Sequence, residues 1–218
     1  MGELLPLAVG VAISPVPIIA VILMLFAPRA GGTSVGFLLG WVAGIVVATV
    51  VFLWLAGIAD LGGGGSSAAA SWIRLLLGVG MLVLAVKQWR DRPRPGAEPA
   101  LPAWMAAIDR FTPGKALGLG FLLSAVNPKN LAMCVAAGVA IGAASLPGGQ
   151  QTIAVVVFTV IAACTVAVPV IAFAVAAERM RGPLHRLKAW LLANNSTVMA
   201  VLLLVIGVVL VGKGIGGL

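Results

Sequence analysis

The chain has 218 residues, 61% of them hydrophobic and 9% charged, with a formal net charge of +8. Soluble domains carry about 25% charged residues, so this composition excludes a water-soluble globular domain and predicts an integral membrane protein built as one helical bundle. The basic balance does not point to nucleic acid, because membrane proteins collect Lys and Arg in cytoplasmic loops and the basic residues here form no single face of a soluble fold.

A helix needs about 20 mostly apolar residues to cross a hydrocarbon core about 30 Å thick. Six runs qualify, at roughly 4–26, 35–58, 71–89, 115–142, 152–177 and 197–214. The first begins in "MGELLPLAVG", which lacks the positive n-region of a cleavable signal peptide, so this span is expected to stay in the mature chain. It contains "AISPVPI", with Ser14, Pro15 and Pro17 near its middle. The second carries "GFLLGWVAG", in which Gly36, Gly40 and Gly44 fall on one helical face. Gly138 and Gly142 repeat that spacing in the fourth span. Small residues at this interval let backbones approach closely. The expectation is packing within the chain, with a homodimer seam as the alternative.

The third span has Trp72 and Trp89 near opposite ends, where interfacial aromatics belong. A linker over about 90–101, "RDRPRPGAE", follows. In "LPAWMAAIDRF", Trp104, Ile108 and Phe111 have the spacing of a helix lying on the membrane surface. The fourth span holds "LSAVNPKNLAMC", which sets Asn127, Pro128, Lys129 and Asn130 inside an apolar run. Between the fifth and sixth spans a break is expected over 178–196. Within it "GPLHRLKAWLL" suits a second surface helix, with Leu184, Leu187 and Leu191 on one face and His185 as a solvated charge. Cys134 and Cys164 lie in apolar runs without metal-ligand or redox spacing and read as buried small hydrophobes.

The charges orient the bundle. Arg29, the group from Lys87 to Lys115, and the group from Arg179 to Lys188 fall on one side; Arg74 and Lys213 fall on the other. The positive-inside rule then predicts a multi-pass protein of the cytoplasmic (inner) cell membrane with both termini extracytoplasmic.

"AISPVPI" and "AVNPKNL" align, Ser14 with Asn127 and Pro15 with Pro128. The reading is a single transmembrane domain over 1–218, all-α, with six helices in two inverted three-helix repeats: repeat 1 about 1–90, repeat 2 about 111–218. Helices 1 and 4 are broken at proline. Corresponding proline-interrupted segments in inverted halves point to a transporter's central site. A helical proline removes one N–H and displaces the carbonyl four residues earlier. Pro15, Pro17 and Pro128 are thus expected to free the carbonyls of Val11, Ile13 and Ser124. Lipid cannot satisfy such groups, so they must face protein, water or substrate. The half-helix after each break offers free N–H groups at a positive dipole end. Lys129 adds a full charge, and none of the acidic residues lies at mid-membrane. An anionic substrate would supply the missing counter-charge. Ser14, Pro15, Pro17, Asn127, Pro128, Lys129 and Asn130 are the candidate substrate-binding residues.

"NPKN" with a proline-rich "SPVP" in the first span resembles the lysine-exporter (LysE) superfamily of six-span exporters. Over its full length the chain is most similar to the glycopeptidolipid-addressing and sulfolipid-addressing branch, the GAP family. The resemblance implies movement of glycolipids toward the outside of a lipid-rich cell envelope. Amino-acid exporters of the superfamily usually carry Pro-Gly-Pro in the first motif; Val16 stands at the glycine position here.

The leading expectation is an exporter or flippase for an anionic or glycosylated lipid, working by alternating access. Export of a small amino acid or ion, and a non-transporting assembly factor for a larger lipid-export machinery, are the alternatives. A redox relay through paired cysteines beside prolines fits poorly, because the first span has no cysteine. No nucleotide loop, metal cluster or nucleophile–base pair supports an enzyme, and the reading calls for no cofactor. Expected partners are an anionic lipid or small-molecule substrate and the surrounding membrane lipids.

Overall fold

The computed structural model describes residues 2, 4–58, 68–92, 105, 107–144 and 146–217. Among them regular structure is entirely helical: α1 (Leu4–Ala12), α2 (Pro15–Phe26), α3 (Ala30–Ile58), α4 (Ala68–Arg90), α5 (Pro113–Ala125), α6 (Pro128–Ala143) and α7 (Gly148–Ile215). A short 3-10 turn, Ile108–Arg110, precedes α5. Most of the 90–101 linker, and Trp104 of the first expected surface helix, lie outside the described residues.

Three helices, α3, α4 and α7, are long and apolar enough to cross a membrane, and the bent pairs α1/α2 and α5/α6 bring the candidate spans to five. The chain is a multi-pass membrane protein. Its outer faces agree: Trp54, Leu76, Val83, Val160 and Val175 are all more than 60% exposed. Apolar surface on that scale is stable against lipid rather than water.

The two breaks fall where proline requires them. α1 and α2 meet at 45° and α5 and α6 at 64°. In each case proline occupies the first turn of the second helix, where a missing N–H costs nothing. Ser14 and Asn127, aligned in the sequence, are the residues that precede the two half-helices, both with extended backbone.

The segment after the fifth span differs from expectation. Instead of a break over 178–196, α7 is two helical arms that meet in a kink at Ala176, whose φ of −144° and ψ of 56° leave the helical region, and residues 178–196 belong to the second arm. A straight helix of all 68 residues would reach about 100 Å, over three times the hydrocarbon core. Ala, Glu, Met and Arg around the bend favour helix, so Ala176 takes up the change of direction while Arg179 to Lys188 remain helical. Leu184 and Leu191 are buried, whereas Leu187 is exposed. His185, expected as a solvated charge, is exposed but stacks on Phe26 of α2, with ring centroids 5.0 Å apart.

Glycines set the packing. A Cβ on Gly36 or Gly40 would collide with the backbone of Pro113 or Leu117 in α5, and one on Gly44 with Ser124. Gly120 approaches the backbone of Phe37 and Trp41 in return, and Gly138 and Gly142 lie against Thr49 to Ala56 of α3. Both glycine stripes are therefore filled within the chain. A second seam joins α4 to the C-terminal arm of α7, where Gly78 and Gly207 lie against each other's helices and Gly214 meets Leu75. Between these pairs lies α2, whose Ile19, Ala20, Val21, Ile22 and Met24 are 0–1% exposed. The first broken pair is thus the core of the bundle, packed on both α3 and α7.

Candidate functional site

At the first break four consecutive backbone carbonyls lose their helical partners or share them. The N–H of Ser14 turns back to the Ala12 carbonyl instead of reaching Gly10, while Pro15 and Pro17 have none to offer. Each carbonyl finds a side chain. Val11 accepts from Ser14 Oγ at 2.7 Å. Gly10 and Ile13 accept from Lys129 Nζ at 2.7 and 3.3 Å. Ala12 accepts from Thr165 Oγ1, 2.5 Å away. Buried backbone polar groups in a membrane require such partners.

The second break is satisfied in its own way. Asn127 Oδ1 accepts from the Lys129 backbone N–H at 3.1 Å, capping α6. Asn130 Nδ2 donates to the Leu123 carbonyl at 2.9 Å. The engaged carbonyl is thus Leu123, one residue before the expected Ser124, because the extended backbone of Asn127 frees it as well.

The two breaks meet. Lys129 Nζ donates to Ser14 Oγ at 2.6 Å, and Ser14 Oγ lies 3.0 Å from Asn130 Oδ1. Ser14, Lys129 and Asn130 are 2%, 3% and 0% exposed. The structure therefore brings these three together with the carbonyls freed beside Pro15 and Pro17, both of which are buried. Asn127 and Pro128 stand apart: Asn127 is half-buried as a cap, and Pro128 is exposed. Thr165 was not singled out in the sequence. The available signal was Pro169, four residues on, which displaces the Thr165 carbonyl and marks the same turn of the fifth span.

Electrostatically the cluster is one-sided. Two half-helix N-termini and one ammonium converge, and each favours negative charge. The three N–H bonds of the ammonium reach neutral oxygens only, and no carboxylate among the described residues pairs with it. The ion pair found there joins Arg181 to Glu178 at 3.5 Å on an exposed stretch of α7.

The cysteines divide. Cys134 is buried as expected, but Cys164 is exposed, on the same helical face as Val160 and Val168. No group of three or more His, Cys, Asp or Glu side chains among the described residues is arranged to hold a metal ion.

No curated protein and no solved structure matches the chain. The family model SfLAP, described as Sap, sulfolipid-1-addressing protein, matches residues 4–216. That span takes in both proline breaks and all seven helices, so the chain belongs to the SfLAP family of sulfolipid-1-addressing proteins.

Proposed function

We propose that the chain is an exporter or flippase, not an enzyme, that moves an anionic or glycosylated lipid across the cytoplasmic membrane. Its cargo head group binds at Ser14, Lys129 and Asn130. One observation carries this reading: a buried lysine is held at the junction of two helix breaks, and no carboxylate among the described residues answers it. A phosphate, sulfate or carboxylate head group replaces the weaker neutral acceptors as a charge-assisted partner. The family's description, which names a sulfolipid, supports an anionic lipid over an amino acid.

The architecture we propose is six spans in two inverted repeats. The bend at Ala176 divides α7 into two arms over 148–175 and 177–215, each long enough for one crossing. Span 1 then corresponds to span 4, with Ser14 and Asn127 at equivalent positions, and span 3 packs on span 6 through Gly78, Gly207 and Gly214. Rocking of one repeat against the other would expose the central cluster to each side in turn.

The test is the purified chain alone in liposomes, carrying acyl-labelled phosphatidylglycerol or phosphatidylcholine, with a membrane-impermeant quencher added outside. Selective movement of the anionic lipid is expected. Movement of neither lipid would favour the assembly-factor alternative, and export of small amino acids in place of lipid would refute the lipid reading.

Both termini are proposed to be extracytoplasmic. In a background with Cys134 and Cys164 replaced by serine, an impermeant thiol reagent applied outside should label Gly148→Cys, at the start of α7, and Gly63→Cys. It should not reach Arg94→Cys; the latter two positions lie outside the described residues. The opposite labelling pattern would invert the topology.

A further inference from the structure

A cavity of about 160 Å³ opens beside the central cluster, between α1, α4, α6 and the C-terminal arm of α7. Its floor includes Gly10, whose carbonyl accepts from Lys129. Its walls are apolar, with Ala140, Leu202 and Ile206 among the lining residues. Arg74 and Lys213 also line it, and they are the two basic residues that charge counting puts on the extracytoplasmic side.

The position is specific. α1 and α4 begin at this end of the bundle and α7 finishes there, with Lys213 two residues from its last. Gly10 lies about 9 Å along α1 from Leu4, so the cavity spans the distance from that end to the first break. Arg74 is half-buried, yet its guanidinium makes no hydrogen bond or ion pair with the other described residues. Arg74 lines the cavity with a guanidinium that no other described residue engages, so an acceptor from outside the chain can answer it.

We infer that this cavity is a second lipid site, on the extracytoplasmic side, which holds an anionic lipid with its head group against Arg74 and Lys213 and its acyl chain along α1 and α7. A free inorganic anion would have no use for the apolar wall, and a neutral lipid would leave the guanidinium unanswered. The inference rests on the proposed function in taking an anionic lipid as cargo; the site is where that lipid stands after leaving, or before reaching, the central cluster. Gly10 makes the two adjacent, since its missing side chain allows close approach of Met133 and Ile206, and a Cβ there would collide with both.

The experiment uses the full chain in vesicles of equal phosphatidylglycerol and phosphatidylcholine, extracted gently, with the co-purified lipids quantified. Wild type should retain phosphatidylglycerol preferentially. Arg74→Gln with Lys213→Gln should lower that preference on the order of tenfold, as expected for removing two membrane-proximal charges. Ala140→Phe, which fills the crevice and keeps both charges, should lower retention as well. In a Lys129→Ala background, where the central cluster no longer holds the head group, the two charge substitutions should lower the remaining preference by the same factor, which separates this site from the central one. Arg74→Gln alone serves if the double variant does not fold. Equal preference in wild type and charge variants would overturn the inference, as would retention of the two lipids in their bulk ratio. Displacement by inorganic sulfate, undiminished in Ala140→Phe, would make this a free-anion site instead. Loss of the preference in Lys129→Ala alone would place the lipid at the central cluster, removing the second site and leaving the proposed function standing.

Discussion

Lys129→Ala should abolish most transport of an anionic lipid while leaving the fold nearly intact. Two opposing terms decide the second half of that expectation. A lysine at the centre of a membrane helix costs about 3 kcal/mol on insertion scales, and alanine removes that cost. The carbonyls of Gly10 and Ile13 and the Ser14 hydroxyl lose a donor, at about 1–3 kcal/mol for each group left unsatisfied. Ser14 keeps Val11 and Asn130 within reach, and water can enter the space vacated by a long side chain, so the net change is small. The cargo has no such relief. Its head group loses the full positive charge in a water-poor site, and truncating one partner of a buried charge pair costs 2–5 kcal/mol, or at least about thirty-fold in affinity. Lys129→Arg keeps the charge on a planar group that does not match the compact triangle of Gly10, Ile13 and Ser14, and a partial defect is expected. The measurement is the rate of lipid movement in liposomes at matched protein insertion. Equal rates for wild type and Lys129→Ala would remove Lys129 from the mechanism and the anion-head-group reading with it.

How far the sequence anticipates this site depends on how local each interaction is. The breaks themselves were legible, because a proline acts on its own backbone: Pro15, Pro17 and Pro128 start their half-helices wherever the rest of the chain packs. The meeting of Ser14 with Lys129 and Asn130 was suggested by repeat correspondence, although these residues lie more than a hundred positions apart. Thr165 is harder to find, since a threonine in an apolar run looks the same whether it partners Ala12, faces lipid or sits in the core, and Pro169, four residues on, is the signal that marks its turn. Asn127 shows the converse problem. Its position made it a site candidate, but an asparagine before a proline at a helix start is also a good cap, and its side chain does that here. The fifth span ends at Ala176, close to the expected 177, but 178–196 is helical where a break is expected, because charge and a Gly-Pro pair usually mark loops. At the membrane surface water can satisfy the carbonyl freed by Pro183, so the helix continues through it.

Gly40→Val should be the most damaging single change to the fold. α3 and α5 approach so closely that a Cβ at position 40 meets the Leu117 carbonyl, and the flanking Gly36, Gly44 and Gly120 hold the same spacing. Backbone atoms cannot rotate away as a side chain can, so relief requires the helices to separate along the whole seam. Overpacking a core usually costs 1–3 kcal/mol, and a backbone-to-backbone clash belongs at or above about 3 kcal/mol by the same reasoning. In lipid there is little hydrophobic compensation for the lost van der Waals contact, because acyl chains are as apolar as the helix face they replace. The damage should reach the site, since Ser124 packs on Gly44 at the end of α5, one residue from the Leu123 carbonyl that holds Asn130. Gly80→Ala is the control: a Cβ there meets nothing within 4 Å, and alanine favours helix over glycine by up to about 1 kcal/mol. Thermal unfolding in detergent, followed by tryptophan fluorescence with Trp41 on the seam, should show a large loss for Gly40→Val and none for Gly80→Ala. A variant that unfolds like wild type but changes from dimer to monomer would instead make the glycine stripe a contact between two copies. A variant that changes in neither respect would mean that α3 and α5 do not pack on each other at Gly40.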